Sequence, residues 1–340
     1  LKKRKFFSAI KYVFFLGLGL VLLWYVTKGH DYNEFINEFK TANYYWIALA
    51  MFFGTLSHIS RALRWNMLIN AMGSKTRFST TFFAVMIGYF ANLLVPRLGE
   101  VSRCAVLHKN EKIPFNSLLG TVVAERIFDF FCLLFITFLV IYFQFEFLKS
   151  FIYNYIYAPL TLKFSANIIG LIIVGVVLIV LAIAGLFILK ALLRQHNEKS
   201  FAYKIKRLIY GFAEGLKTIK NVPNKSVFLL HSVFIWMMYF LMTYLCFFSL
   251  SATSQLGIAD GFTVLVMGSM GIVAPVPGGI GAYHFFVITT LVELFSINST
   301  SATSLAYISH TSQTLLIILL GFFSIVALSL RKRRKGYDKI

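Results

Sequence analysis

Residues 116–144 read NSLLGTVVAERIFDFFCLLFITFLVIYFQ, an apolar run whose only charges are Glu125, Arg126 and Asp129. An α-helix needs about 20 apolar residues to cross a hydrocarbon core of about 30 Å, so this stretch predicts a membrane span. Its charges lie roughly 14–20 Å into that span at about 1.5 Å per residue, too deep to reach water easily. Ionisable groups at such depth mark functional sites or fix helix packing.

Outward from this stretch, apolar segments at about 10–27, 44–70, 166–190, 225–250 and 303–330 predict further spans, flanked by interfacial aromatics such as Tyr44, Tyr45, Trp46 and Trp65. The chain is 58% hydrophobic and only 14% charged, whereas about a quarter of the residues of a soluble domain are charged. That composition excludes an ordinary soluble domain and points to one all-α integral membrane domain over 1–340. The apolar run behind LKKRK at residues 1–5 has no small-residue cleavage site after it and predicts a retained first span.

Two more apolar stretches, 78–95 and 261–296, are interrupted by Pro96-Arg97-Leu98-Gly99 and by Pro275-Val276-Pro277-Gly278-Gly279-Ile280-Gly281. Each reads either as a full span or as a re-entrant hairpin, giving about six spans plus two inverted broken-helix hairpins, with eight spans as the alternative. Charge chooses between them. The formal charge is +20, and the loop from Lys190 to Lys225 holds nine Lys or Arg against Glu198 and Glu214. Re-entrant hairpins leave this loop and both termini on the cytoplasmic side, as the positive-inside rule asks. The basic residues gather at span ends and in this one loop, which argues for anionic lipid and against nucleic acid. Within it, 199–220 alternates basic and apolar residues at helical spacing and predicts an amphipathic surface helix in a 191–224 cytoplasmic loop. The two broken stretches also resemble each other: Val85-Met86-Ile87-Gly88 precedes Pro96 much as Leu265-Val266-Met267-Gly268 precedes Pro275. This predicts inverted halves, about 44–144 and 225–330, with broken helices meeting near the bilayer centre.

Around the first break, Pro96 stops a helix and Gly99 permits a sharp turn. The next helix start, with Asn92, Arg97 and Arg103 nearby, suits a phosphate, and Glu100 can pair with either arginine. Within 116–144, Arg126 and Asp129 are three apart and can pair with each other, leaving Glu125 to find Arg97 or Arg103. Arg61 and Arg64 are expected to snorkel from their span end to lipid headgroups. The glycines of the second break allow close backbone approach, and His284 follows them. Cys104, Cys132 and Cys246 show no paired spacing, and no Ser-His-Asp, HExxH or DxD set is present. Neither a metal, a cofactor nor catalysis is therefore expected.

Ser60-Arg61-Ala62-Leu63-Arg64-Trp65, NLLVPRLGEVSR at 92–103, GTVVAERIFD at 120–129 and Pro275–Gly281 stand in an order that resembles the transmembrane, flippase-type domain of the lysylphosphatidylglycerol synthase family. The resemblance covers nearly the whole chain and implies a lipid translocator of the cell membrane. Two departures are His284, where an acidic residue is expected, and the lack of a synthase domain. The expected substrate is a phospholipid or a polyprenyl-phosphate-linked lipid, its headgroup held by Arg97 and Arg103 and balanced by Glu100, Glu125 and Asp129. The alternatives are an enzyme or glycosyltransferase accessory acting on lipid-linked phosphate, and a structural partner, with a homo-oligomer or a partner membrane enzyme as company.

Overall fold

The computed structural model describes residues 16–28, 32–144 and 221–337, and among these every regular element is helical. The span expected at 166–190, the 191–224 loop with its 199–220 helix and the N-terminal basic cluster lie outside the described residues. In chain order the helices are α1 (Leu16–Thr27), α2 (Tyr32–Thr41), α3 (Tyr44–Ala71), α4 (Phe78–Leu94), α5 (Leu98–Glu111) and α6 (Phe115–Phe143). They continue with α7 (Lys225–Phe247), α8 (Ile258–Val273), α9 (Ala282–Thr289) and α10 (Ser299–Tyr337). Of these, α3, α6, α7 and residues Ser299–Arg331 of α10 are long and apolar enough to cross a membrane. The protein is a polytopic helical bundle, as its hydropathy predicts.

Local chemistry sets the helix ends. Asn43 caps α3 by accepting from the Tyr45 N–H at 3.1 Å, and Asn224 caps α7 by accepting from Val227 at 3.1 Å. Pro96 ends α4, and the chain turns through Arg97, which takes the left-handed region at φ 63° before α5 begins. α3 and α7 run antiparallel: the Asn43 N–H donates to the Ser249 carbonyl at 2.8 Å at one end, and Ser60 Oγ meets His231 Nδ1 at 2.8 Å farther along.

Both interrupted stretches fold as helical hairpins. In the first, α4 and α5 approach so closely that a Cβ on Gly88 would stand 2.9 Å from the Gly99 carbonyl oxygen. The Gly99 N–H donates to Asn92 Oδ1 at 2.7 Å and staples the legs together. In the second, α8 leads through a short 3₁₀ turn at Pro277–Gly279 into α9 and a π-turn at Thr290–Leu294. Gly278, Gly279 and Gly281 adopt φ of 59°, 76° and 80°, which L side chains take only with strain.

α10 shows the two hairpins to be oppositely directed. The base of the first lies by its C-terminal part, where Arg331 donates to Ser79 Oγ at 2.9 Å and Phe323 packs on Phe83 at 6.0 Å. The second returns to the α10 start through Ile297 and Asn298, while its tip lies beside His310, whose Nε2 is 2.9 Å from the Gly278 carbonyl oxygen. The tips meet: a Cβ on Gly278 would lie 3.1 Å from Leu93 Cδ2.

Gly120 differs from the hairpin glycines. It faces outward on α6 with no atom within 4 Å of where its Cβ would sit. Gly120→Ala is expected to raise stability by about 0.5–1 kcal/mol through helix propensity alone, measurable as a higher melting temperature in detergent.

Candidate functional site

The intramembrane charges gather where α3, α5, α6 and α7 face one another. Glu125 and Asp129, four apart on α6, share one helix face, and Arg61 and Arg64, three apart on α3, present a matching face. Arg61 Nη1 donates to Glu125 Oε1 at 2.6 Å and to Asp129 Oδ2 at 2.9 Å. Arg64 Nη2 donates to Asp129 Oδ1 at 2.6 Å, and its Nη1 donates to Ser232 Oγ of α7 at 3.0 Å. Arg103 of α5 completes the set, donating to Glu125 Oε2 at 2.9 Å and lying over the Trp65 ring at 4.6 Å. Trp65 is itself held through its Nε1–H, 2.9 Å from Thr121 Oγ1.

This network differs from the sequence expectation in three respects. Arg61 and Arg64 do not snorkel, being 3% and 0% exposed. The α6 carboxylates offer them partners closer than the interface, and paired charges tolerate burial that lone ones do not. Asp129 does not pair with Arg126, since its two oxygens already accept from two α3 guanidiniums. Arg126 instead meets Glu100 of α5 at 3.0 Å, so Glu100 pairs across helices and with neither Arg97 nor Arg103. Of the two partners expected for Glu125, the structure supplies Arg103.

Beside the network lies a cavity of about 540 Å³. Both hairpin tips line it, through Asn92, Pro96 and Arg97 on one side and Pro275, Gly278 and Gly279 on the other. Arg61, Glu100, Arg126 and Asp129 also contribute to its wall. Arg126, with its side chain 43% exposed, and Arg97, exposed at the turn, carry the most accessible charge. No carboxylate among the described residues pairs with Arg97. The cluster as a whole sets Glu100, Glu125 and Asp129 against the guanidiniums of Arg61, Arg64, Arg97, Arg103 and Arg126, an excess of two positive charges, and the part of it that lines the cavity sets Arg61, Arg97 and Arg126 against Glu100 and Asp129, an excess of one.

Tyr89 and Tyr239, which the sequence did not single out, hold their rings 5.9 and 5.8 Å from the Arg61 guanidinium, and His58, expected only to bond between helices, lies tilted against Tyr89 at 4.9 Å. Trp236 also lines the cavity. The detectable signal was the recurrence of ring and imidazole groups at α3, α4 and α7 positions level with the charges, a pattern visible only once the helices are registered. His284 does not reach the cavity wall and lies one layer behind it, against His310.

Fold and site together define a polytopic helical membrane protein with a buried ion network beside a cavity where two broken hairpins meet. The chain belongs to the lysylphosphatidylglycerol synthase TM region family, matching it over residues 9–321. It is also similar to a UPF0104 membrane protein of Methanocaldococcus jannaschii, 26% identical over 304 residues that span 86% of this chain and 88% of the relative. No solved structure matches it. The four segments that resemble the family converge in space: three supply the ion network, and Pro275–Gly281 forms the opposing tip.

Proposed function

We propose that this protein moves a lipid with an anionic headgroup, a phospholipid or a lipid-linked phosphate, between the leaflets of the cell membrane. The observation that carries this reading is the cavity bounded by both hairpin tips and by a charge cluster with two positive charges in excess. A phosphate replaces what the cluster lacks, met by Arg97, which has no carboxylate partner among the described residues, and by Arg126, half-exposed beside Glu100. The largely apolar remainder of the wall suits the start of an acyl or isoprenoid chain. A lipid-related role also accords with the family name.

The halves 44–144 and 225–330 act as inverted repeats in this reading. Gly88 and Gly268, 180 residues apart in register, each receive the second leg of their own hairpin, Gly99 in one and Tyr283 in the other. Oppositely directed broken helices that meet at a site are the arrangement of alternating-access carriers. One end of the bundle carries Lys75, Arg77, Lys109, Lys112, Lys225 and Arg331 with Glu111. The other carries Glu34, Glu38, Asp260 and Glu293 with Lys28 and Lys40. The positive-inside rule puts the first end, and both termini, in the cytoplasm.

Proteoliposomes with fluorescent anionic, zwitterionic and polyprenyl-phosphate lipids test the proposal. Anionic lipid should change leaflets, and Arg97→Ala or Arg126→Ala should slow it about 10- to 100-fold, the range for losing a hydrogen bond to a charged group. Movement of every lipid class at equal rates, or rates untouched by both substitutions in folded protein, would sink it.

A further inference from the structure

The ion network leaves a second buried group of titratable residues unused. His284 of α9 and His310 of α10 lie with ring centroids 4.7 Å apart, and both are buried. His310 Nε2 meets the Gly278 carbonyl oxygen at 2.9 Å, so Nε2 carries the proton and grips the tip of the second hairpin. His284 Nδ1 is buried with no hydrogen-bond partner, and its ring lies 4.5 Å from Tyr307. Neither imidazole pairs with a carboxylate among the described residues.

A line of polar groups runs from this pair to the start of α10. Tyr307, Ser304 and Ser301 follow at three-residue intervals from His310, about 4.5 Å of rise per step. Ser301 hydrogen-bonds Glu38 of α2, whose Oε2 is buried without a partner, as is Ser304 Oγ. Glu38 Oε2 of α2, Ser304 Oγ of α10 and His284 Nδ1 of α9 are thus orphaned polar atoms on three helices that pack together, the groups a hydrated path would use. Chains of Glu, hydroxyl and His inside a membrane protein serve as proton relays.

We propose that His284 and His310 form a proton-binding site, reached from the α10 N-terminal end, that couples a transmembrane proton gradient to the second hairpin tip. One proton on the pair makes the bond to Gly278 charge-assisted and tightens the tip against the cavity. A second is disfavoured by the neighbouring imidazolium. The other groups around the pair are Tyr283, bonded to Ser309, and Cys246 of α7, packed in the same core as Tyr283. Beyond these stand Glu34 and Glu38 of α2, Lys28 lying over Trp24 at the end of α1, and the exposed Glu293 of the π-turn. The site itself stands apart from the carrier reading; only its coupling to lipid rests on it.

Amide hydrogen exchange of the full chain, corrected for intrinsic rate, tests the site between about pH 8 and pH 4, a window that holds the ordinary histidine range and extends below it. Exchange at Gly279 and Ile280 should slow about three- to tenfold at the lower pH, the difference between a neutral and a charge-assisted hydrogen bond. His310→Gln keeps a donor for Gly278 without a titration, and His284→Asn removes the second ring; both should flatten the response while melting temperatures show that each variant is folded. A flat wild-type response, or an unchanged one in both variants, overturns the site. Lipid movement in proteoliposomes that is indifferent to an imposed pH gradient, with the exchange response intact, overturns the coupling and spares the carrier. Absence of lipid movement with that response intact removes the carrier and supports the proton site alone.

Discussion

Glu125→Gln should lower stability by about 3–5 kcal/mol, the range for removing one partner from a buried ion pair. Glu125 is wholly buried, and its two oxygens accept from Arg61 and Arg103, with Arg64 Nη2 at 3.6 Å. A neutral amide leaves Asp129 alone against three guanidiniums, and it turns an NH₂ group toward donors that have nothing to give it. The loss should appear in denaturant titration in mixed micelles. Glu125→Gln combined with Arg103→Met removes one charge of each sign and should recover much of the stability. Failure of the double variant to recover any would mean that side-chain shape, and not charge balance, holds the four helices. The pairing pattern makes Asp129→Asn a milder change, because Glu125 still serves Arg61 and Arg103.

Gly99→Val should cost about 3 kcal/mol or more, at the upper end of overpacking, and should slow lipid movement in the same variant. A Cβ at Gly99 would run into the Gly88 carbonyl and stand 2.6 Å from Asn92 Nδ2, the far end of the side chain that staples the hairpin. Backbone cannot yield as a flexible side chain can, so the two legs must part and carry Arg97 and Arg103 with them. Gly88→Ala reaches the same interface from the other leg, with 2.9 Å to the Gly99 oxygen, and should be nearly as costly. Gly120→Ala on α6 is the control. A stabilised Gly99 variant would show that α4 and α5 are held by something other than this glycine contact.

Much of the architecture was legible from hydropathy and breakers. The helix over 116–144 appears as Phe115–Phe143, and those over 44–70 and 225–250 appear within three residues of their expected ends. The interruptions at Pro96 and at Pro275–Gly281 both became hairpin tips, because a missing donor and positive-φ glycines leave the backbone no helical alternative. The ion partners were not legible in the same way. The i,i+3 spacing of Arg126 and Asp129 allows a pair within α6, and only the approach of α3 offers Asp129 two guanidiniums at once.

The sequence by itself determined that this chain is a polytopic helical bundle, where its helices break and that Glu125, Arg126 and Asp129 stand deep within a span, since these follow from the cost of exposing backbone and charge to hydrocarbon. It also carried the family resemblance, because the motifs stand in chain order. Only the tertiary structure decided that Arg61 and Arg64 turn inward, that Arg126 answers Glu100, that the tips enclose a cavity with Arg61 and Asp129 in its wall and that His284 faces His310. Those outcomes depend on the register and rotation of helices far apart in sequence. In a membrane small-residue contacts and interhelical hydrogen bonds set these, whereas hydrophobicity is nearly uniform around each helix and does not choose among rotations.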